Sequence, residues 1–155
     1  MNLLTNGDFE LGCAGWDAGF GFISDTPTPT FSHGGSHSCK FCMDTNFEAV
    51  LTNVVNLPVK AGSKYYGEVW LRTASIPSDA GFVGDRLNIL TKTDADGTDG
   101  PFPLTENWVR LTTILTVPRD SPELALSVHL QQSGNPAPKG NIICVYVDDA
   151  VLRPL

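Results

Sequence analysis

The chain is short of charge. Asp, Glu, Lys and Arg make up 17% of its 155 residues, against about a quarter in an average globular domain. Its ten Lys and Arg are scattered and the formal net charge is −7. No basic stripe is present to neutralise a phosphate backbone, so nucleic acid is not an expected partner. No apolar run approaches the ~18 residues of a spanning helix, so no membrane partner is expected either. The segment Met1-Asn2-Leu3-Leu4-Thr5-Asn6-Gly7 lacks the basic start and apolar stretch of a signal peptide. Helical periodicity is almost absent: the longest candidate, Glu48 to Val59, alternates apolar with polar residues and meets Pro58. There is no Gly-x-Ser-x-Gly elbow, and His33, His37 and His129 are dispersed, so no nucleophilic triad is expected. Asp148 and Asp149 are neighbours on a strand and point to opposite faces, so they cannot flank a glycosidic bond as a pair.

What replaces the missing charge is turn chemistry. There are 15 Gly and 11 Pro, with many Thr, Ser and Asn, residues that punctuate short strands. Strands are expected over 2–10, 16–24, 38–44, 49–57, 64–74, 86–92, 108–117, 124–132 and 142–152. That is about nine strands without crossover helices, which means antiparallel pairing in an all-β sandwich or jelly roll of one domain, 1–155. The loop Asp94 to Gly100 begins like a calcium-binding EF-hand loop. It lacks the flanking helices and the closing Glu, and reads as a solvated turn.

The four cysteines, Cys13, Cys39, Cys42 and Cys144, permit three pairings into two disulfides. Cys39 and Cys42 sit on one extended segment, with Cα atoms about 10 Å apart, too far for a direct bond. No second Cys-x-x-Cys exists to complete a zinc site.

Alternation assigns the faces. Tyr65, Gly67, Val69 and Leu71 share one side of their strand, and Tyr66, Glu68, Trp70 and Arg72 the other. Leu124, Leu126, Val128 and Leu130 oppose Ala125, Ser127, His129 and Gln131. Trp16, Phe20 and Phe22 fall at even spacing and read first as core, with Phe20 and Phe22 as secondary candidates for ligand contact.

The two ends are more specific. Asn2-Leu3-Leu4-Thr5-Asn6-Gly7-Asp8-Phe9-Glu10, Gly15-Trp16 and Tyr146-Val147-Asp148-Asp149-Ala150-Val151-Leu152 resemble the family-4, family-16 and family-22 carbohydrate-binding modules, which share a galactose-binding-like β-jelly roll. His33 to Phe41, and Ala61 to Tyr66 followed by Trp70-Leu71-Arg72, resemble the same modules. The resemblance implies a non-catalytic module that recognises a polysaccharide or glycan of β-glucan or xylan type. It also implies a secreted, extracellular setting, as a module of a longer chain appended to a glycoside-active enzyme. A structural or adhesive jelly roll without a sugar ligand is the alternative.

Such modules carry a structural calcium. By resemblance its ligands are Asp8, Glu10, main-chain oxygens near Gly35, Ser36 or Lys40, and Asp148. Pairing Glu10 with Asp148 in antiparallel strands brings Cys13 to Cys144, leaving Cys39 and Cys42 reduced or otherwise paired. Sugars need an aromatic platform and planar hydrogen-bonding groups. Because these modules bind glycans in the groove of one sheet, Tyr66, Glu68, Trp70, Arg72, His129 and Gln131 form the primary expected site. Phe20 and Phe22 stand second.

Overall fold

A computed structural model describes residues 1–43, 48–75, 82–97, 102–103, 105–133 and 143–155. Residues 1–16 form no strand. Residues 4–8 and 10–15 are a succession of turns. Asn6 and Phe9 both hold left-handed φ values, 52° and 53°, which reverse the chain. The Asn6 side chain stitches the reversal by donating to Gly12 O and Ala14 O and accepting from Leu11 N. Phe9 then stacks on Trp16 at 4.9 Å, both buried. The segment still reaches the last strand, since Leu3 N donates to Leu152 O and Ala150 N donates to Gly7 O, each at 2.7 Å.

Eleven strands follow: β1 (Asp17–Gly19), β2 (Gly21–Thr26), β3 (Ser38–Met43), β4 (Glu48–Val55), β5 (Lys64–Ser75), β6 (Phe82–Thr91), β7 (Ala95–Gly97), β8 (Phe102–Pro103), β9 (Val109–Thr116), β10 (Leu124–Ser133) and β11 (Ile143–Pro154). A short 3-10 turn, Pro29–Phe31, lies between β2 and β3. All pairing among the described residues is antiparallel. One sheet runs β1-β4-β10-β6-β7, with β8 also on β6; the other runs β2-β3-β11-β5-β9. The all-β sandwich expected from composition is therefore present, with the N-terminal strand replaced by turns. β7 occupies part of the expected acidic loop, and residues 98–100 lie outside the described residues.

The core forms where the inward residues of the two sheets meet. Leu124, Leu126, Val128 and Leu130 of β10 are all 0% exposed and pack in one cluster with Val69 and Leu71 of β5. At Gly67 the two sheets approach too closely for a side chain. A Cβ there would lie 2.8 Å from Leu126 Cδ1 and 3.1 Å from Ile89 Cγ1.

Both disulfides differ from the expected pairing: the bonds are Cys13–Cys39 and Cys42–Cys144. The turns at Asn6 and Phe9 carry Cys13 away from β11 and toward the core side of β3. Cys144 instead stands directly opposite Cys42 across β11 and β3.

Candidate functional site

The expected six-residue site does not assemble. Tyr66, Glu68, Trp70 and Arg72 lie on β5 and His129 and Gln131 on β10, and these strands belong to different sheets. Since the inward residues of both strands meet in the core, the two outward sets face away from each other.

The β5 face carries a strap. Residues 28–37 fold over it, with the Phe31 ring stacked on Tyr146 at 4.9 Å and the His33 ring stacked on Trp70 at 3.9 Å. His33 Nδ1 lies 2.6 Å from Asp149 Oδ2, and its ring meets Trp108 edge-on at 5.6 Å. The Arg72 guanidinium is 5.9 Å from the Phe31 ring and 6.0 Å from Trp108, within cation–π range. Tyr66 donates its hydroxyl to Glu68, and burial together with that carboxylate raises its pKa. One surface of Trp70 is thus covered by protein. Beside it, a depression of 300 Å³ brings together Asp8, Glu68, Trp70 and Asp149. A second, of 240 Å³, is lined by Phe22, Ser24, Lys40 and the Cys42–Cys144 pair.

The strap is tied down by two of the expected calcium ligands. Glu10 accepts from Ser36 N at 2.8 Å, His37 N at 3.0 Å and the Ser36 hydroxyl at 2.9 Å. These bonds hold its pKa down to about 2. Asp148, 0% exposed, accepts from His33 N, Gly34 N and Asp149 N. Burial pushes its pKa up to about 6 against the pull of those donors. Gly35 fits the clasp because its φ is +60° and a Cβ would run into the Glu10 carboxylate. Asp8 is exposed at the rim. Lys40 lies inside β3, in register with Ser24 on one side and Tyr146 on the other, where a central strand spends its carbonyls on ladders. The carboxylates of Glu10 and Asp148 thus accept from N–H and O–H donors, and no group of three His, Cys, Asp or Glu side chains placed to hold a metal occurs among the described residues.

The β10 face is polar in lining and half-buried, with Ser127 at its centre 0% exposed. Across the sheet, Asp17, Thr52, Ser127 and Asn88 form one row, and Gly19, Val50, His129 and Arg86 the next. Glu48 stands opposite Gln131 in a third, and Gln131 opposite Gly84, which offers no side chain to fill the floor. His129 Nδ1 is 2.9 Å from Glu48 Oε1. Thr52 and Ser127 share a hydroxyl contact of 3.3 Å. Two buried nitrogens on this face, His129 Nε2 and Arg86 Nε, have no hydrogen-bond partner. Buried polar groups are nearly always satisfied; Arg72 Nε on the β5 face is unpartnered in the same way.

At the edge of this face is Phe20, 71% exposed with φ +57° in the turn between β1 and β2. Phe22 is also exposed, so of the three evenly spaced aromatics only Trp16, at 3%, is core. The turn at Phe20 breaks the alternation that grouped them. Arg86, Asn88, Glu48 and Thr52 were not singled out from the sequence. The available signal was their alternation with Leu87, Ile89, Ala49 and Leu51, which are all 0% exposed.

No protein-family model matches the chain, and no curated protein matches it in sequence. Solved structures do. A family 61 carbohydrate-binding module in complex with beta-1,4-galactotriose superposes with TM-score 0.70 at 17% identity, covering 100% of this chain and 99% of that one. A family 16 carbohydrate-binding module gives 0.63 at 19%, covering 98% and 99%. The CBM22-1 xylan-binding domain from Paenibacillus barcinonensis Xyn10C gives 0.65 at 15%, covering 95% and 90%. The chain has the β-sandwich fold of these carbohydrate-binding modules over its whole length.

Proposed function

We propose that the protein binds a polysaccharide without cleaving it, on the outer face of the β1-β4-β10-β6 sheet. The observation that carries this reading is the fold shared with carbohydrate-binding modules, together with the outward polar side chains His129 and Arg86, which stand in one cross-strand row. Glu48, Gln131, Asn88 and Thr52 add further polar side chains on the same face, and Phe20 offers an exposed ring at the margin. Planar polar groups beside an aromatic suit a sugar's hydroxyls and its apolar CH face. The ligands of the structural neighbours, galactotriose and xylan, support a β-linked chain of this general class. Two disulfides suit an oxidising, extracellular setting. One neighbour is a CBM22-1–GH10 module pair, which supports a role as an appendage to a glycoside-active enzyme.

The strap over Trp70 favours a structural role for the β5 face and moves the binding reading to the opposite sheet. Affinity electrophoresis in gels cast with β-glucan, xylan or β-1,4-galactan tests the proposal. At least one polymer should retard the protein, and Arg86→Ala should run unretarded in that gel. Equal migration of both proteins in every gel removes the proposal.

A further inference from the structure

We infer that the 240 Å³ depression on the β2-β3-β11-β5 sheet is a second sugar site, which takes one uronic acid residue with its carboxylate on Lys40 and its ring against Phe22. That the ligand is a sugar rests on the binding reading above; that it is an anion rests on this depression alone. Two adjacent cross-strand rows build the walls. Phe22, Cys42, Cys144 and Ser75 make one row, and Ser24, Lys40, Tyr146 and Arg72 the next. The Cys42–Cys144 bond closes the floor, its residues 2% and 4% exposed. Phe22 and Ser24 are exposed and Lys40 is half-buried, so the groups assigned to the ligand are open to it. The volume falls below the roughly 300–1,000 Å³ of a pocket for a drug-sized ligand. It suits one sugar residue, a chain end or a side branch, rather than a run of them.

The charge around the depression has one sign. The chain carries a net −7, yet the two rows hold the cations Lys40 and Arg72 and no acid. The neighbouring Asp25 stands opposite Cys39, on the other side of the strand, and accepts from Cys13 N at 2.8 Å. Among the described residues the lysine and arginine ion pairs are Lys60–Asp120 and Arg119–Asp94, and Lys40 belongs to neither. Its other neighbour in the row, Tyr146, is covered by the Phe31 ring. An ammonium only donates and a carboxylate only accepts, so the two match. A uronic acid brings that carboxylate together with an apolar CH face for Phe22. A neutral sugar would leave the ammonium without a counter-charge, and inorganic phosphate would leave the ring uncovered.

Titration of the protein with methyl glucuronide or methyl galacturonide, followed by backbone 15N–1H shifts, tests the inference. At least one of the two should move Phe22, Ser24, Lys40 and Cys42, while glucose, inorganic phosphate and acetate at the same concentration leave them in place. Lys40→Gln should weaken the uronide about tenfold, the loss of one charge-assisted hydrogen bond, and Lys40→Arg, which keeps the charge, should retain most of the binding. Phe22→Ala, at an exposed position, should weaken it as well, and the dispersion of each variant's spectrum shows that it is folded. Uronide shifts that miss these residues, equal shifts with glucose, phosphate or acetate, or uronide binding undiminished in a folded Lys40→Gln overturn the inference and leave the β10-face reading standing. Uronide binding at these residues with no neutral polymer retarding the protein supports this site and removes the β10-face reading instead.

Discussion

The His33 ring lies flat on Trp70, their centroids 3.9 Å apart and their planes 16° from parallel. This contact turns the most conspicuous aromatic of the chain from a platform into an anchor. Trp70→Ala should leave polysaccharide retardation unchanged and lower stability by about 2 kcal/mol, roughly half the cost of truncating a fully buried Trp. Chemical denaturation alongside affinity electrophoresis reads both. Loss of retardation with stability intact would return the sugar to the β5 face.

The clasp on the strap is built from hydrogen bonds. EDTA should therefore leave the melting temperature where it was, whereas Glu10→Ala should lower it by releasing Ser36 and His37. A melt that falls in EDTA and recovers with added calcium would show an ion bound in the native state.

The three carboxylates with the largest shifts dominate the acid response. Burial pushes Asp85 up to about 7 and Asp148 up to about 6 from an ordinary 3.8. For both, the folded state takes up a proton more readily than the unfolded one, so stability rises as pH falls through 7 and 6 toward 4. Glu10 works in the opposite sense. Lowered from 4.5 to about 2, it contributes stability above the ordinary value and loses it as pH falls through that window. Denaturation midpoints should accordingly peak between about pH 4 and 5. Asp85→Asn should flatten the limb above the peak, because it removes a buried carboxylate whose Oδ1 has no partner. A midpoint that climbs steadily from pH 5 to 8 would contradict these assignments.

The two disulfides close loops of different length, with separations of 26 and 102 residues. Chain-entropy arithmetic gives about 3.5 kcal/mol for the first and about 4.7 kcal/mol for the second. Replacing Cys42 and Cys144 by Ser should thus cost more than replacing Cys13 and Cys39. Non-reducing peptide mapping checks the pairing itself, and a Cys13–Cys144 peptide would refute it.

Gly67 was legible in sequence as an inward position and no more. Alternation put Tyr65, Gly67, Val69 and Leu71 on the core side, as found, because burial on one face of a strand has a period of two. Alternation is silent on which strands share a sheet, and for that reason Trp70 and His129 could be assigned to one site. The N-terminal turns were hidden too, because left-handed φ at Asn6 and Phe9 is imposed by tertiary contacts rather than by glycine. The cysteine pairing followed that error. The polar row on β6 and β4 was written in the sequence as alternation, yet Arg86 and Glu48 gain meaning only once β10 lies between them.

The central claim is where the sugar lies. Backbone 15N–1H shifts recorded during titration with a soluble oligosaccharide of the retarding polymer locate it directly. The largest changes should fall on Thr52, Arg86, Asn88, Ser127 and His129, with Tyr66 to Arg72 unmoved. Shifts centred on Tyr66, Glu68, Trp70 and Arg72 with the β10 row silent would contradict the account.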